Sequence, residues 1–142
     1  MTIARLIQGR DPAVVTCDAG ASVREAVALL SEKRIGALPV LAGGEVAGIF
    51  SERDVLQELH KHGPAMLDLK VADVMTSPPV TVEPETPVLS ALSLMTRRRI
   101  RHLPVMSGGR MVGFISIGDL VKHRIDRIES EAEALRTYIQ MV

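Results

Sequence analysis

Aromatic side chains are nearly missing from this chain. Phe50, Phe114 and Tyr138 make up 2% of its 142 residues, and tryptophan is absent. The core must therefore be aliphatic, and there is no platform on which nucleic-acid bases could stack. Net charge is missing too. Seventeen basic residues balance seventeen acidic ones, which argues against broad electrostatic attraction to nucleic acid or anionic lipid. Cys17 is the only cysteine, so no intrachain disulfide can form and nothing points to an oxidising compartment. No stretch approaches the roughly 20 apolar residues that span a bilayer, and no charged segment followed by a long apolar run opens the chain. The expectation is a soluble, cytoplasmic protein with neither membrane nor nucleic acid as partner.

What the chain does contain, it contains twice. Residues 15–55 laid on 80–120 at a constant shift of 65 share fifteen identities without a gap, among them Leu38-Pro39-Val40 with Leu103-Pro104-Val105. A self-match of that length and density is the mark of an internal repeat. Each copy reads in the same order: a short β run (Val14–Thr16, Val80–Val82), a helix, two strands joined by Gly43-Gly44 or Gly108-Gly109, and a second helix. The first helices carry the stripes Val23, Ala26, Val27, Leu30 and Val88, Ala91, Leu92, Met95. Ser22 suits the N-cap of one, and Thr86 that of the other with Pro87 in its first turn. Val71-Ala72-Asp73-Val74-Met75 opens the second copy and answers Ile3-Ala4-Arg5-Leu6-Ile7, the first copy being three residues longer before its β run. The expected architecture is α+β, two β-α-β-β-α repeats packed about a pseudo-twofold. One copy alone is too small to cover both faces of its sheet. Boundaries are set at 1–64, 65–128 and 129–142, the last a helical extension. Cys17 answers Val82, so a buried apolar role is expected for the thiol.

Both copies end their second strand in Gly-x-x-Ser-x-x-Asp: Ser51 with Asp54, and Ser116 with Asp119. Such a junction sets a hydroxyl and a carboxylate beside the unpaired N–H groups of a helix N-terminus. It can serve as a plain helix cap, or it can hold sugar hydroxyls and phosphate oxygens. The last helix adds a seam, Val121, Ile125, Ile128, Ala132, Leu135, Ile139 and Val142, spaced alternately by four and three. Its first half is expected to bury that stripe on its own domain, and the extension past Ile128 to meet a second copy of the chain. Arg97-Arg98-Arg99 with Arg101 reads as a solvated helix end. His60, His62 and His123 form no metal-ligand pattern with the sole cysteine. No nucleophile with an adjacent base and no phosphate loop is present, so the chain is expected not to be an enzyme.

In their order and duplication these motifs resemble a tandem pair of CBS domains, a Bateman module, over nearly the whole chain up to about Ile128. The resemblance implies a non-catalytic regulatory sensor, often a homodimer, that binds adenosine derivatives (AMP, ADP, ATP, S-adenosylmethionine or NAD) in two clefts between the copies. It also implies the site pattern: one copy's aspartate on the ribose, apolar residues of both copies on the adenine, and the residues before Leu-Pro at the phosphate end. Cleft one would then use Ile49, Ser51, Arg53, Asp54, Val80, Ile100, Arg101 and His102. Cleft two would use Val15, Ile35, Gly36, Ala37, Phe114, Ser116 and Asp119. Cleft two has Gly36-Ala37 and Gly118 where cleft one has Arg101-His102 and Arg53. A guanidinium can grip phosphate bidentately, so cleft one is expected to be the tighter site. The alternative is a docking or dimerisation scaffold whose clefts take no ligand.

Overall fold

Helix α2, Val23–Lys33, begins where the Ser22 hydroxyl accepts the Glu25 N–H at 3.1 Å, as expected of an N-cap. It ends at Arg34 in the left-handed conformation (φ 54°), with the Arg34 N–H returned to the carbonyls of Leu30 and Ser31. The described residues are 1–11 and 13–141 of a computed structural model. Before α2 come helix α1, Ile3–Ile7, and strand β1, Cys17–Asp18; after it come β2, Ala37–Ala42, β3, Glu45–Ser51, and α3, Glu52–His62. A 3-10 turn over Gly63–Asp68 leads to α4, Val71–Val74. The second repeat supplies α5, Val88–Arg98, β4, His102–Ser107, β5, Arg110–Ser116, and α6, Ile117–Met141. β2 and β3 are antiparallel, as are β4 and β5, and the Gly43-Gly44 and Gly108-Gly109 turns take the positive φ values that such tight hairpins require.

Three expectations are corrected. Strand pairing in the first copy starts at Cys17, parallel to Val40, and not over Val14–Thr16; in the second it shrinks to a single bridge between Val82 and Val105. The residues before these points come opposite Leu38-Pro39 and Leu103-Pro104 in the parallel register, where proline has no N–H to extend the ladder. Thr86 does not cap α5. Its hydroxyl accepts the Glu83 N–H at 3.1 Å, and Pro87 takes the cap position, while the N–H of Val88 is met by the Met1 carbonyl at 3.1 Å. In α6, only Leu120 is buried; Val121 and Ile125 stay exposed, so the first half of the seam is not covered by its own domain. The seam continues exposed through Ile128, Leu135 and Ile139; Val142 lies outside the described residues.

The copies are interlocked by their leading segments. The Val23 N–H donates to Leu69 O, Val71 N–H to Ala21 O and Ala72 N–H to Ala19 O; symmetrically, Val88 N–H donates to Met1 O, Ile3 N–H to Thr86 O and Ala4 N–H to Pro84 O. Each leader thus satisfies the first free N–H of the other repeat's helix. The cores follow suit. Val71, Val74 and Met66 pack with Val23, Ala26, Leu38 and Phe50, whereas Ile3 packs with Val88, Ala91, Leu103 and Ile115. Cys17 is buried in the first core, and burial, reinforced by Asp18 and Glu25, pushes its thiol up to about 11. An inert thiol results.

Candidate functional site

Both Ser-x-x-Asp junctions form capping boxes. At the head of α3 the Ser51 N–H donates to Asp54 Oδ2 at 2.8 Å and the Asp54 N–H faces the Ser51 hydroxyl at 3.5 Å; at the head of α6 the matching distances are 2.8 and 3.1 Å. The first N–H of each helix is also used: Glu52 N–H donates to Gly36 O at 3.0 Å and Ile117 N–H to Arg101 O at 2.8 Å. The N–H groups expected to await a ligand are therefore partly committed. Both serines cap their helices, which leaves the surrounding side chains to supply most of any binding.

Two clefts adjoin, with Gly36, Ala37 and His102 in the walls of both. Cleft one, about 510 Å³, is lined by Ile49, Ser51, Arg53, Val80, Ile100, Arg101 and His102, seven of its eight expected residues. Asp54 is not among its lining residues. It is buried, with Oδ1 accepting the Thr76 hydroxyl at 3.1 Å and Oδ2 the Ser51 hydroxyl at 3.1 Å. Thr76 is held there because it exchanges backbone hydrogen bonds with Ile49, 3.0 and 2.9 Å long. Burial pushes the Asp54 carboxyl above its ordinary value in spite of these donors. Arg53, expected to face phosphate, donates to the Arg99 carbonyl at 2.8 Å.

Cleft two, about 540 Å³, is lined by all seven of its expected residues: Val15, Ile35, Gly36, Ala37, Phe114, Ser116 and Asp119. It also contains residues that the sequence reading missed. Arg10 and Arg34 line it, so the expectation of a cleft without a cation is corrected. Arg10 pairs with Asp119 at 3.0 Å, and the Asp119 side chain remains 31% exposed. Burial would raise the Asp119 carboxyl, but the Ser116 N–H, Arg10 and the Ser116 hydroxyl together hold it below its ordinary value. The two aspartates, equivalent in the repeat, are thus shifted in opposite directions.

The difference comes from the leaders. Ile7 answers Met75, so Gln8 answers Thr76. Ile49 and Thr76 form a bridge, but no such bridge between Phe114 and Gln8 occurs among the described residues, and the three extra residues of the first leader bring Arg10 to Asp119 instead. That length difference was the available signal for Arg10. His102, assigned to cleft one, lines both clefts. Its ring stacks on Phe114 with centroids 5.5 Å apart and planes 15° from parallel. Gly36 and Ala37 line both as well, and a Cβ on Gly36 would lie 3.5 Å from the imidazole. Burial lowers the His102 imidazole, with Asp119 and Glu52 opposing and Arg101 assisting. Among the described residues no cluster suited to a metal ion occurs and no helix is long and apolar enough to cross a membrane.

Comparison with known proteins matches this arrangement. The family profile described as CBS domain fits residues 10–61 and again 71–126. A mitochondrial CBS domain-containing protein of Arabidopsis thaliana is 40% identical over 129 residues, which is 87% of this chain but 63% of the relative. An inosine-5'-monophosphate dehydrogenase of Korarchaeum cryptofilum is 37% identical over 108 residues, 75% of this chain and 21% of the enzyme. The chain thus spans less than two thirds of these relatives. Among solved structures, a putative signal-transduction protein with CBS domains from Burkholderia ambifaria superimposes with a TM-score of 0.84 at 36% identity, covering 89% of this chain and 95% of that one. The protein CBSX2 in complex with AMP gives 0.74 at 27% identity, covering 88% and 96%. With two matched segments that coincide with the two repeats and their interlocked cores, the chain belongs to the CBS domain family, as a tandem pair.

Proposed function

We propose that this chain is a non-catalytic regulatory module that binds an adenosine nucleotide, AMP, ADP or ATP in kind, with cleft two as the principal site. The observation that carries this reading is the contrast between the two aspartates. Asp119 lines its cleft with its carboxylate part-exposed, while Asp54 is enclosed behind Thr76. Around Asp119, Val15, Ile35 and Phe114 offer apolar surface for a purine, and Arg10 and Arg34 offer charge for phosphate. The AMP complex of the similar protein CBSX2 supports the ligand class. This reverses the ranking expected from the sequence. Cleft one keeps Arg101 and His102 and is assigned a weaker or second ligand, such as a nucleoside or one end of NAD or S-adenosylmethionine.

Calorimetric titration with AMP tests the ranking. Asp119→Ala is expected to weaken the tight site by about tenfold or more, the scale of losing hydrogen bonds to a charged group, while Asp54→Ala, checked for folding, keeps it. The reverse result would return cleft one to first place. No stabilisation by any adenine nucleotide in a thermal-shift assay would favour the scaffold reading. We further propose that the module self-associates through the exposed seam of α6, and that it works in the cytoplasm.

A further inference from the structure

We propose that Arg10 sets the ligand preference of cleft two: it gives up Asp119 to a ribose diol and transfers its guanidinium to the ligand's phosphate. The proposal rests on the adenosine reading above and adds to it a selection rule, phosphorylated over unphosphorylated nucleoside.

A carboxylate offers about four lone-pair positions on its two oxygens. Three of those on Asp119 are taken, by the Ser116 N–H at 2.8 Å and by two guanidinium nitrogens of Arg10 at 3.0 and 3.4 Å. The Ser116 N–H contact is built into the cap of α6 and stays. A sugar diol that donates two hydrogen bonds to Asp119 must therefore take at least one of the places of Arg10, which breaks its two-pronged hold on the carboxylate. The ion pair is the part that can yield, because the Arg10 side chain is 42% exposed and it sits on a leader outside any helix or strand. Once displaced, the guanidinium remains beside the ribose in a cleft that, among the described residues, has Arg34 as its one other lining arginine. A phosphate would give it a bidentate partner that replaces the lost carboxylate. A nucleoside has none, and binds at the expense of the pair. Cleft one has no such exchange, since there the aspartate is held by the neutral hydroxyl of Thr76.

The test is calorimetric titration of AMP and of adenosine into the unmodified chain, Arg10→Gln and Arg10→Lys, with melting temperature as the folding control. The unmodified chain is expected to favour AMP over adenosine by about tenfold or more at low salt, a preference that narrows as salt is added. Arg10→Gln is expected to cut that ratio by about tenfold in a crossed manner. AMP weakens, while adenosine holds or tightens by about two- to fivefold as Asp119 is released. Arg10→Lys, which lacks the fork, should fall between. A Gln variant that weakens both ligands equally, or leaves the ratio unchanged, overturns the proposal while leaving the adenosine site standing. Failure of both ligands to bind the unmodified, folded chain overturns the adenosine reading and this proposal with it.

Discussion

Gly48 and Gly113 occupy the same place in the two repeats, each crossed by a leader, but only at Gly48 does the crossing exclude a Cβ. At Gly48 a Cβ would lie 2.7 Å from the Thr76 carbonyl oxygen and 2.8 Å from Met75 Sδ; at Gly113 it would lie 3.3 Å from Ile7 Cγ2. The first clash is with backbone fixed by the Ile49–Thr76 bridge, the second with a side chain that can turn. Gly48→Ala is therefore expected to cost about 2–3 kcal/mol, at the upper end for overpacking, and Gly113→Ala under about 1 kcal/mol. Urea denaturation of both variants checks this; equal losses would mean that the leaders hold the two sheets equally tightly. The opposite shifts of Asp54 and Asp119 follow from their surroundings: burial raises Asp54 although the Ser51 N–H and the Thr76 hydroxyl oppose it, whereas at Asp119 burial is outweighed by the Ser116 N–H and Arg10, which lower it.

At the scale of elements, α1 and α4 matter more than their five and four residues suggest. Ile3 is fully buried in the core of the second repeat, far along the chain from the residues it touches. Ile3→Ala is expected to destabilise the protein by about 2–4 kcal/mol, the usual cost of such a core truncation. Because the leaders are exchanged, unfolding should stay one cooperative transition, read by denaturant titration with coincident fluorescence-independent probes such as circular dichroism and hydrogen exchange. A loss below 1 kcal/mol would show that α1 is a loosely docked arm. The two helix ends at Arg34 and Arg99 show how local chemistry and topology agree: both adopt the left-handed turn (φ 54° and 55°) that aims the chain from α2 or α5 into the next strand.

For the whole molecule, the exposed seam of α6 has no partner among the described residues. Leu135 and Ile139 are 59% and 62% exposed on one stripe, flanked by Arg127–Glu131 and Arg136–Glu133 ion pairs that keep the helix itself in order. A second copy laid along this stripe would cover it. Leu135→Glu is expected to shift the protein toward monomer in analytical ultracentrifugation with little change in AMP affinity. An unchanged mass at every concentration would remove the seam from the assembly.

The repeat, the alternation of helices and hairpins, and the capping serines could all be read along the chain. They depend on contacts between near neighbours: Ser22 with Glu25, Gly43 with Gly44, Ser51 with Asp54. The seven residues of cleft two were legible for a related reason, since a repeat with a known site pattern repeats that pattern. What the sequence could not order was the pair of clefts. Arg10 meets Asp119 across 109 positions and Thr76 meets Asp54 across 22, and both contacts follow from leaders that cross to the other repeat. Two identical motifs thus acquired different chemistry from what the fold laid on top of them. The difference depends on long-range packing, and only the tertiary structure decided it.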